Sequence, residues 1–240
     1  MAQNKTIALP DKNGAEQDGR YEPACRLVSL FTASGDEQSA YEIALKLGRK
    51  AASYGETVLM LDAVDGKMLQ HAGIVYSRTL DDIANGNAEI QDALFVTSNE
   101  HFTAGAVGPA GLENALGVLA ALSLSYDWVF VVPKAGCEPA HVRLGGASDV
   151  SMISYATQSD QFMRAFWMID AVRRRTPNFD PLLLSTGEKS DAVETAFMLS
   201  ETIREHLGAP PPYAGHLDDL HLEARLLEQM RAQAARRAAA

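Results

Sequence analysis

Cysteine is scarce in this sequence, and histidine shows none of the spacings that metal sites use. The 240 residues contain two cysteines, Cys25 and Cys137, far apart in the chain. They form no C-x-x-C pair and no histidine lies at ligand spacing from them, so the sequence predicts neither a disulfide framework nor a zinc site. The six histidines form no H-x-x-x-H pair. We expect reduced thiols and no metal centre.

Long hydrophobic runs and a secretory leader are also lacking. No segment approaches the roughly 18 apolar residues of a membrane span, and the opening MAQNKTIALPDKNGAEQDGR has no apolar core of the signal-peptide kind. The formal net charge of −10 would repel nucleic acid rather than attract it. We expect a cytoplasmic protein that does not bind nucleic acid directly.

What is present is the composition of an ordinary globular domain, with 47% hydrophobic and 22% charged residues. Apolar runs of strand length alternate with segments of helical period, and the runs lack strict alternation of polar and apolar residues. Such strands are buried on both faces, which is typical of a parallel sheet between helices. The sequence therefore predicts an α/β fold: a single doubly wound, mostly parallel sheet flanked by helices. The predicted strands are RLVSLF, TVLMLDA, DALFVTS, WVFVVP, VSMISYA and PLLLST.

The predicted organisation has four parts. Residues 1–24 are polar and without periodicity, as in a flexible N-terminal arm, and 25–208 form the α/β domain. The proline-rich stretch 209–216 is interpreted as a linker, followed by a C-terminal helix over 217–240. Leu220, Leu227 and Met230 share one face of that helix, and its end is basic. The pattern suits packing on the domain, on a partner protein or on anionic lipid.

The turn after the first strand reads FTASGDEQS, at residues 31–39. A phosphate-binding loop, G-x-x-x-x-G-K-[ST], uses its lysine for the β and γ phosphates and its hydroxyl for Mg²⁺. Here Ser39 keeps the hydroxyl, but Gln38 replaces the lysine and Glu37 the preceding glycine. Ser34 and Glu37 also match the S-x-x-E capping box, in which the helix satisfies its own N-terminus. Carboxylates at that end disfavour a triphosphate through repulsion of like charges.

Several segments in order resemble the MinD/ParA family of deviant-Walker P-loop ATPases, and within it the FlhG/FleN type. The resemblance spans about residues 26–207. VLMLDAVDG at 58–66 is similar to the family's second strand, L-I-D-x-D-x-G. GPAGLENALGVLAALSLSYDWVFVV at 108–132 resembles its G-x-x-G, helix, Y-D-x-V-x-I-D stretch, and TLDDIANGNAEIQDAL at 79–94 lies between them. The resemblance implies a P-loop NTPase-like fold of the SIMIBI type.

Transferred residue by residue, the family's nucleotide site is degenerate in this chain. Gly35, Ser39 and Asp62 agree with the family, Gln38 takes the place of the loop lysine, and Asp65 is a neighbouring carboxylate; these five positions are the candidate nucleotide site. The remaining family positions have lost their chemistry. The signature lysine falls on Ala33, the water-positioning aspartate on Val64, the metal aspartate on Val132 and the adenine-reading asparagine on Ser185.

The resemblance and these losses together predict a pseudo-ATPase. Phosphoryl transfer needs lysine, metal and water-positioning groups at once. We expect a spatial or assembly regulator of flagellum, cell division or partitioning that acts through protein contacts, without a cofactor and with no confident catalytic residue. The alternative is an active or nucleotide-switched ATP hydrolase with unusual site residues, binding ATP or ADP with Mg²⁺ as a membrane-associated homodimer. In that alternative the 217–237 helix would contact the inner membrane. A small-molecule enzyme on a Rossmann-like scaffold is disfavoured, because FTASGDEQS does not fit G-x-G-x-x-G.

Overall fold

The sheet and its helices are seen in a computed structural model that describes residues 25–33, 35, 37–97, 101–108 and 111–239. The predicted arm, 1–24, lies outside the described residues. Over the described ranges the strands are β1 (Arg26–Thr32), β2 (Val58–Ala63), β3 (Leu94–Val96), β4 (Thr103–Ala106), β5 (Trp128–Pro133), β6 (Val150–Ala156), β7 (Leu182–Thr186) and β8 (Tyr213–His216). The helices there are α1 (Gln38–Ser53), α2 (Lys67–His71), α3 (Leu80–Ala84), α4 (Ile90–Ala93), α5 (Leu112–Leu122), α6 (Pro139–Ala147), α7 (Ser159–Arg173), α8 (Ala192–Leu207) and α9 (Leu222–Ala238).

These strands form one sheet in the order β3-β4-β2-β5-β1-β6-β7-β8. Neighbouring strands are parallel except β3 and β4, which pair antiparallel at one edge. Helices cover both faces, so both faces of the central strands are buried. This explains the continuous apolar runs in their sequences. The predicted doubly wound, mostly parallel α/β sheet is confirmed.

The two faces of the sheet carry separate hydrophobic clusters. One cluster contains side chains from α1, α2 and α9, with Trp128 and Phe130 of β5. The other contains side chains from α5, α6, α7 and α8, together with Phe31 of β1 and Tyr155 of β6, which both lie on this second face of the sheet. Because α1 covers one face and α6 the other, the chain leaves β1 and β5 toward different sides. A crevice at the carboxyl edge of the sheet, where the connections change sides, is the usual ligand position in such folds.

Three elements were missed or misjudged by sequence reasoning. β4 reads TAGA, and its small residues with low strand propensity are held in the sheet by parallel pairing with β2. The predicted strand DALFVTS contributes only Leu94–Val96 to the sheet, because the residues before it form α4. Helix α6 was not predicted from the sequence, because its two adjacent glycines lower its helix propensity. Its first turn contains a proline, a residue that is favoured at the start of a helix.

The segment predicted as a linker contributes a strand. Residues 213–216 form β8, which pairs in parallel with β7 at the edge of the sheet and contains a register shift. The hydroxyls of Ser185 and Tyr213 lie 2.8 Å apart and tie the two strands together. The boundary between domain and linker therefore does not fall at residue 208, because the chain remains part of the sheet.

The C-terminal helix packs on the domain. Leu226, Leu227 and Met230 of α9 are fully buried against the α1 face of the sheet, whereas Leu220 precedes the helix and is 85% exposed. Arg231 donates to Glu56 at 2.6 Å and lies over the ring of Tyr54. The helix's apolar face is thus covered by the protein itself. None of the helices in the described ranges has both the length and the apolar character to span a bilayer.

We predict that Leu226→Ala lowers the free energy of unfolding by about 2–5 kcal/mol, because a fully buried leucine leaves a cavity. Leu220→Ala, on the same predicted face but exposed, should change it by less than about 0.5 kcal/mol. Denaturant unfolding of both variants measures the difference. Equal effects of the two substitutions would contradict the packing of α9 described above.

Candidate functional site

The predicted loop residues are close together in sequence but do not converge on one point. Helix α1 begins at Gln38, whose exposed amide donates to Glu42 Oε1 at 2.7 Å along the helix surface. The Ser39 hydroxyl lies 3.3 Å from that of Ser154 on β6. Gly35 is exposed, and a Cβ added there would meet nothing within 4 Å. The local geometry therefore does not require glycine at this position.

The capping box predicted for Ser34 and Glu37 stays a prediction, while the Glu37 carboxylate has two partners elsewhere in the chain. Glu37 occupies the N-cap position of α1 without a side-chain cap, and Ser34 and Asp36 lie outside the described residues. Its Oε2 accepts from Lys67 Nζ at 3.0 Å, and its Oε1 accepts from the Ala135 N–H at 3.1 Å. The carboxylate therefore bridges the loop after β1 to the residues that follow β2 and β5. The physical reason is topology: β5 is the neighbour of both β1 and β2.

The hydrogen bonds to Glu37 favour its charged form. Burial acts to raise the pKa of the carboxyl, but donation from Ala135 and Lys67 outweighs it, and the pKa lies below its ordinary value of 4.5. Glu37 is therefore an anion held by a backbone N–H and an ammonium group. Those are the kinds of donor that a phosphate-binding loop offers to its ligand.

Asp62 serves the turn after β2. The carboxylate is 1% exposed and accepts from the N–H groups of Val64 at 2.8 Å, Gly66 at 3.2 Å and Leu69 at 2.9 Å. Burial raises its pKa, against the lowering effect of these donors. The turn passes through left-handed backbone at Gly66, where a side chain would clash with Tyr76. The carboxylate thus binds backbone N–H groups of both the turn and the following helix α2.

Asp65, three residues after Asp62, has a different partner. Its backbone is left-handed, with φ at 59°, and its exposed carboxylate pairs with Lys134 Nζ at 2.8 Å. Lys134 belongs to the loop after β5, so this ion pair is a second link between the loops after β2 and β5. The sequence predicted Asp65 as a candidate site residue, but not Lys134 as its partner.

The other positions transferred from the resemblance are structural. Val64 and Val132 are fully buried, and the Ala33 N–H donates to Ser154 O at 2.7 Å. Ser185 is occupied with Tyr213 on the neighbouring strand. None of these four positions supplies a side chain that could hold a phosphate or a metal in the crevice.

A cavity of about 330 Å³ lies beside the loop. Its walls come from the ends of β1 and β5 and from α7, and include Ala33, Gly35, Gly136, Arg164 and Trp167. Of the five predicted site residues only Gly35 lines it. The open space is therefore displaced from Gln38, Ser39 and Asp62 toward α7.

Among the described residues of this edge there is neither a grouped set of metal ligands nor a cysteine with a lowered pKa. Over the described ranges, no three His, Cys, Asp or Glu side chains are grouped so that they could hold a metal ion. Cys137 is exposed as a residue, but its thiol is partly buried, and this burial together with the charge of Asp170 raises the pKa of the thiol. A raised pKa reduces the thiolate fraction, which is opposite to the activation that a nucleophilic cysteine needs.

Comparison with solved structures identifies the architecture. A chain of the MinC:MinD cell division protein complex of Aquifex aeolicus superposes with a TM-score of 0.65 at 18% identity, covering 89% of this chain and 95% of that one. A ParA family ATPase from Chlorobium tepidum TLS gives 0.60 at 16%, covering 88% and 89%. Apo McdA from Cyanthece gives 0.63 at 15%, covering 86% and 90%. The chain has the MinD/ParA fold.

The MinD/ParA fold confirms the architecture that the resemblance implied. No family model matches the sequence, and no curated protein matches it either. At identities of 15–18% the likeness concerns the backbone alone. The chemistry of the site must therefore be judged from this chain's own residues.

Sequence reasoning missed the internal partners of the loop. Lys67 and Ala135 are separated from Glu37 by 30 and 98 residues, so no local pattern connects them. One signal was available: Lys67 directly follows the Asp-Gly turn at the end of β2, and therefore had to lie near the carboxyl edge.

We predict that Glu37→Gln lowers the thermal midpoint at pH 7 and that the deficit shrinks as the pH falls. The folded pKa of Glu37 is depressed, so its charge contributes stability above about pH 4.5 and loses it as the pH falls through the folded pKa. Thermal unfolding of both proteins from about pH 7 to pH 3 measures the difference. Glu228→Gln, an exposed position on α9, is the control. A deficit independent of pH would rule out the charged bridge.

Proposed function

We propose that this protein is a MinD/ParA-fold regulator without ATPase chemistry, which acts through protein contacts in the spatial control or assembly of flagellum, cell division or partitioning machinery. The observation that carries the proposal is the Glu37 carboxylate, bound by Lys67 and the Ala135 N–H at the start of α1. A negative side chain in this place competes with a nucleotide phosphate for the same kinds of donor.

The cations around the loop support this interpretation. Lys67 and Lys134 are the lysines of the segments after β2 and β5, and each is within 3.0 Å of a carboxylate oxygen, of Glu37 and Asp65 respectively. A triphosphate would have to displace these carboxylates or lie beside them. Repulsion between like charges in a partly buried site opposes that arrangement.

The side chains that phosphoryl transfer needs are also missing from the corresponding positions. Metal-assisted phosphoryl transfer needs a cation at the transferred phosphate, a metal ligand and a residue that orients water. The corresponding positions hold Gln38, Val132 and Val64, and Asp62 is committed to three backbone N–H groups. Restoring one group would leave the others absent, so this arrangement favours a non-catalytic role.

The cavity between Gly35 and Trp167 is the observation that favours the alternative, a nucleotide-switched ATPase with unusual residues. Its volume would admit part of a nucleotide. Arg164 is the cationic side chain among the described residues that line it. In this alternative the nucleotide would contact the α7 side of the crevice and would not depend on Gln38.

We predict that calorimetric titration with ATP or ADP, each with Mg²⁺ at low salt, shows no binding tighter than about 100 μM, or about −5.5 kcal/mol. Gln38→Ala should leave that result unchanged, and neither nucleotide should raise the thermal midpoint.

Tighter binding would refute the proposal, and two variants would then locate the ligand. Loss of binding in Ser39→Ala would place the phosphate at the start of α1. Loss in Arg164→Ala with binding retained in Ser39→Ala would place it in the cavity beside α7.

A further inference from the structure

The outer face of α8 exposes an apolar patch that the fold does not use. Val193, Phe197 and Met198 are 73%, 64% and 42% exposed. Residues 193 and 197 are one helical turn apart, so their side chains form a continuous stripe with Met198 beside it. A large exposed aromatic side chain within an apolar cluster is typical of protein interaction surfaces. We call Val193, Phe197 and Met198 the α8 patch.

The opposite face of α8 supplies its packing. Ala196, Leu199 and Ile203 are buried, the two larger ones in the cluster shared with α5, α6 and α7. The Thr195 hydroxyl donates to the carbonyl of Thr157, after β6, at 3.4 Å. The helix is thus held without help from the α8 patch. The packing of the domain therefore gives no reason for the Phe197 side chain to be exposed.

Acidic side chains surround the α8 patch. Glu188, Asp191, Glu194 and Glu201 are exposed along the start and outer face of the helix. The neighbouring cations are already paired: Lys189 with Asp219 at 2.8 Å, and Arg204 with Glu201. Within the part of the chain that the structure describes, Glu188 and Glu194 have no ion-pair partner. The rim thus presents uncompensated negative charge around an apolar centre.

We propose that the α8 patch binds a basic amphipathic segment of a partner protein. Apolar side chains of that segment would cover Val193 and Phe197, and its lysine or arginine side chains would meet Glu188 and Glu194. In such an interface the buried apolar centre supplies most of the affinity, and the complementary charges of the rim orient the partner. The same acidic rim would repel an anionic bilayer or a nucleic acid. The inference names the partner class of the proposed regulator and so rests on that proposed function.

The test is a titration with the amphipathic peptide LKKLLKLLKKLLKL, labelled with fluorescein and followed by fluorescence anisotropy without nucleotide. We expect binding to the full chain that weakens at least about fivefold in Phe197→Ser, because truncation removes the apolar centre. Glu194→Lys should weaken binding at low salt, with a smaller effect at high salt, because exposed charges are screened. The glutamate counterpart, LEELLELLEELLEL, should not bind.

Two matched variants separate the patch from general acidity. Leu124→Ser removes an apolar side chain that is 74% exposed on the segment between α5 and β5, and Glu228→Lys reverses an exposed charge on α9. Both should bind the peptide as the unmodified protein does. The inference would be overturned if Leu124→Ser weakened peptide binding as much as Phe197→Ser, and Glu228→Lys as much as Glu194→Lys. Binding of the acidic peptide, binding of the protein to vesicles of phosphatidylglycerol, or no binding of the basic peptide would also overturn it. Because no nucleotide is present, these results are independent of the calorimetric test.

Discussion

The Glu37 carboxylate links the loops after β1, β2 and β5 through its bonds to Lys67 and Ala135. The functional interpretation depends on this contact. Three segments that are distant in the chain meet there because β2, β5 and β1 are neighbours. A carboxylate with an ammonium group and a backbone N–H satisfies donors that would otherwise be free for an anionic ligand. A second ion pair, between Asp65 and Lys134, also links the segments after β2 and β5. Lys67 and Lys134 are thus both paired with carboxylates of this chain.

Helices α8 and α9 differ in which of their apolar side chains the domain covers. The MinD/ParA fold leaves α8 on the outside, where its apolar stripe and acidic rim remain exposed while its inner face packs on the sheet. Helix α9, which has the composition of an interaction helix, is instead covered by the domain through Leu226, Leu227 and Met230. The difference lies in which apolar side chains the sheet can reach.

Much of the fold was predictable because its central strands are continuous apolar runs. RLVSLF, VLMLDA and WVFVVP are typical of strands buried on both faces, and the helical periods between them favour a parallel sheet. The weak elements were not predictable in the same way. TAGA and YAGH have little strand propensity, and they become β4 and β8 through pairing with β2 and β7. The sequence predicted that the candidate site residues Gly35, Gln38, Ser39, Asp62 and Asp65 follow strand ends, but it did not predict their contacts.

The sequence by itself determined the α/β architecture, the position of the loop after β1 and the absence of its lysine, because these depend on local pattern and residue type. Only the tertiary structure decided that Glu37 bridges to Lys67 and Ala135, that Asp62 is consumed by a turn, and that α9 is buried while Phe197 is exposed. Those outcomes depend on strand order, which brings together groups up to 98 residues apart. Local sequence carries no record of such distances, since contact between remote segments is set by how the whole sheet is assembled.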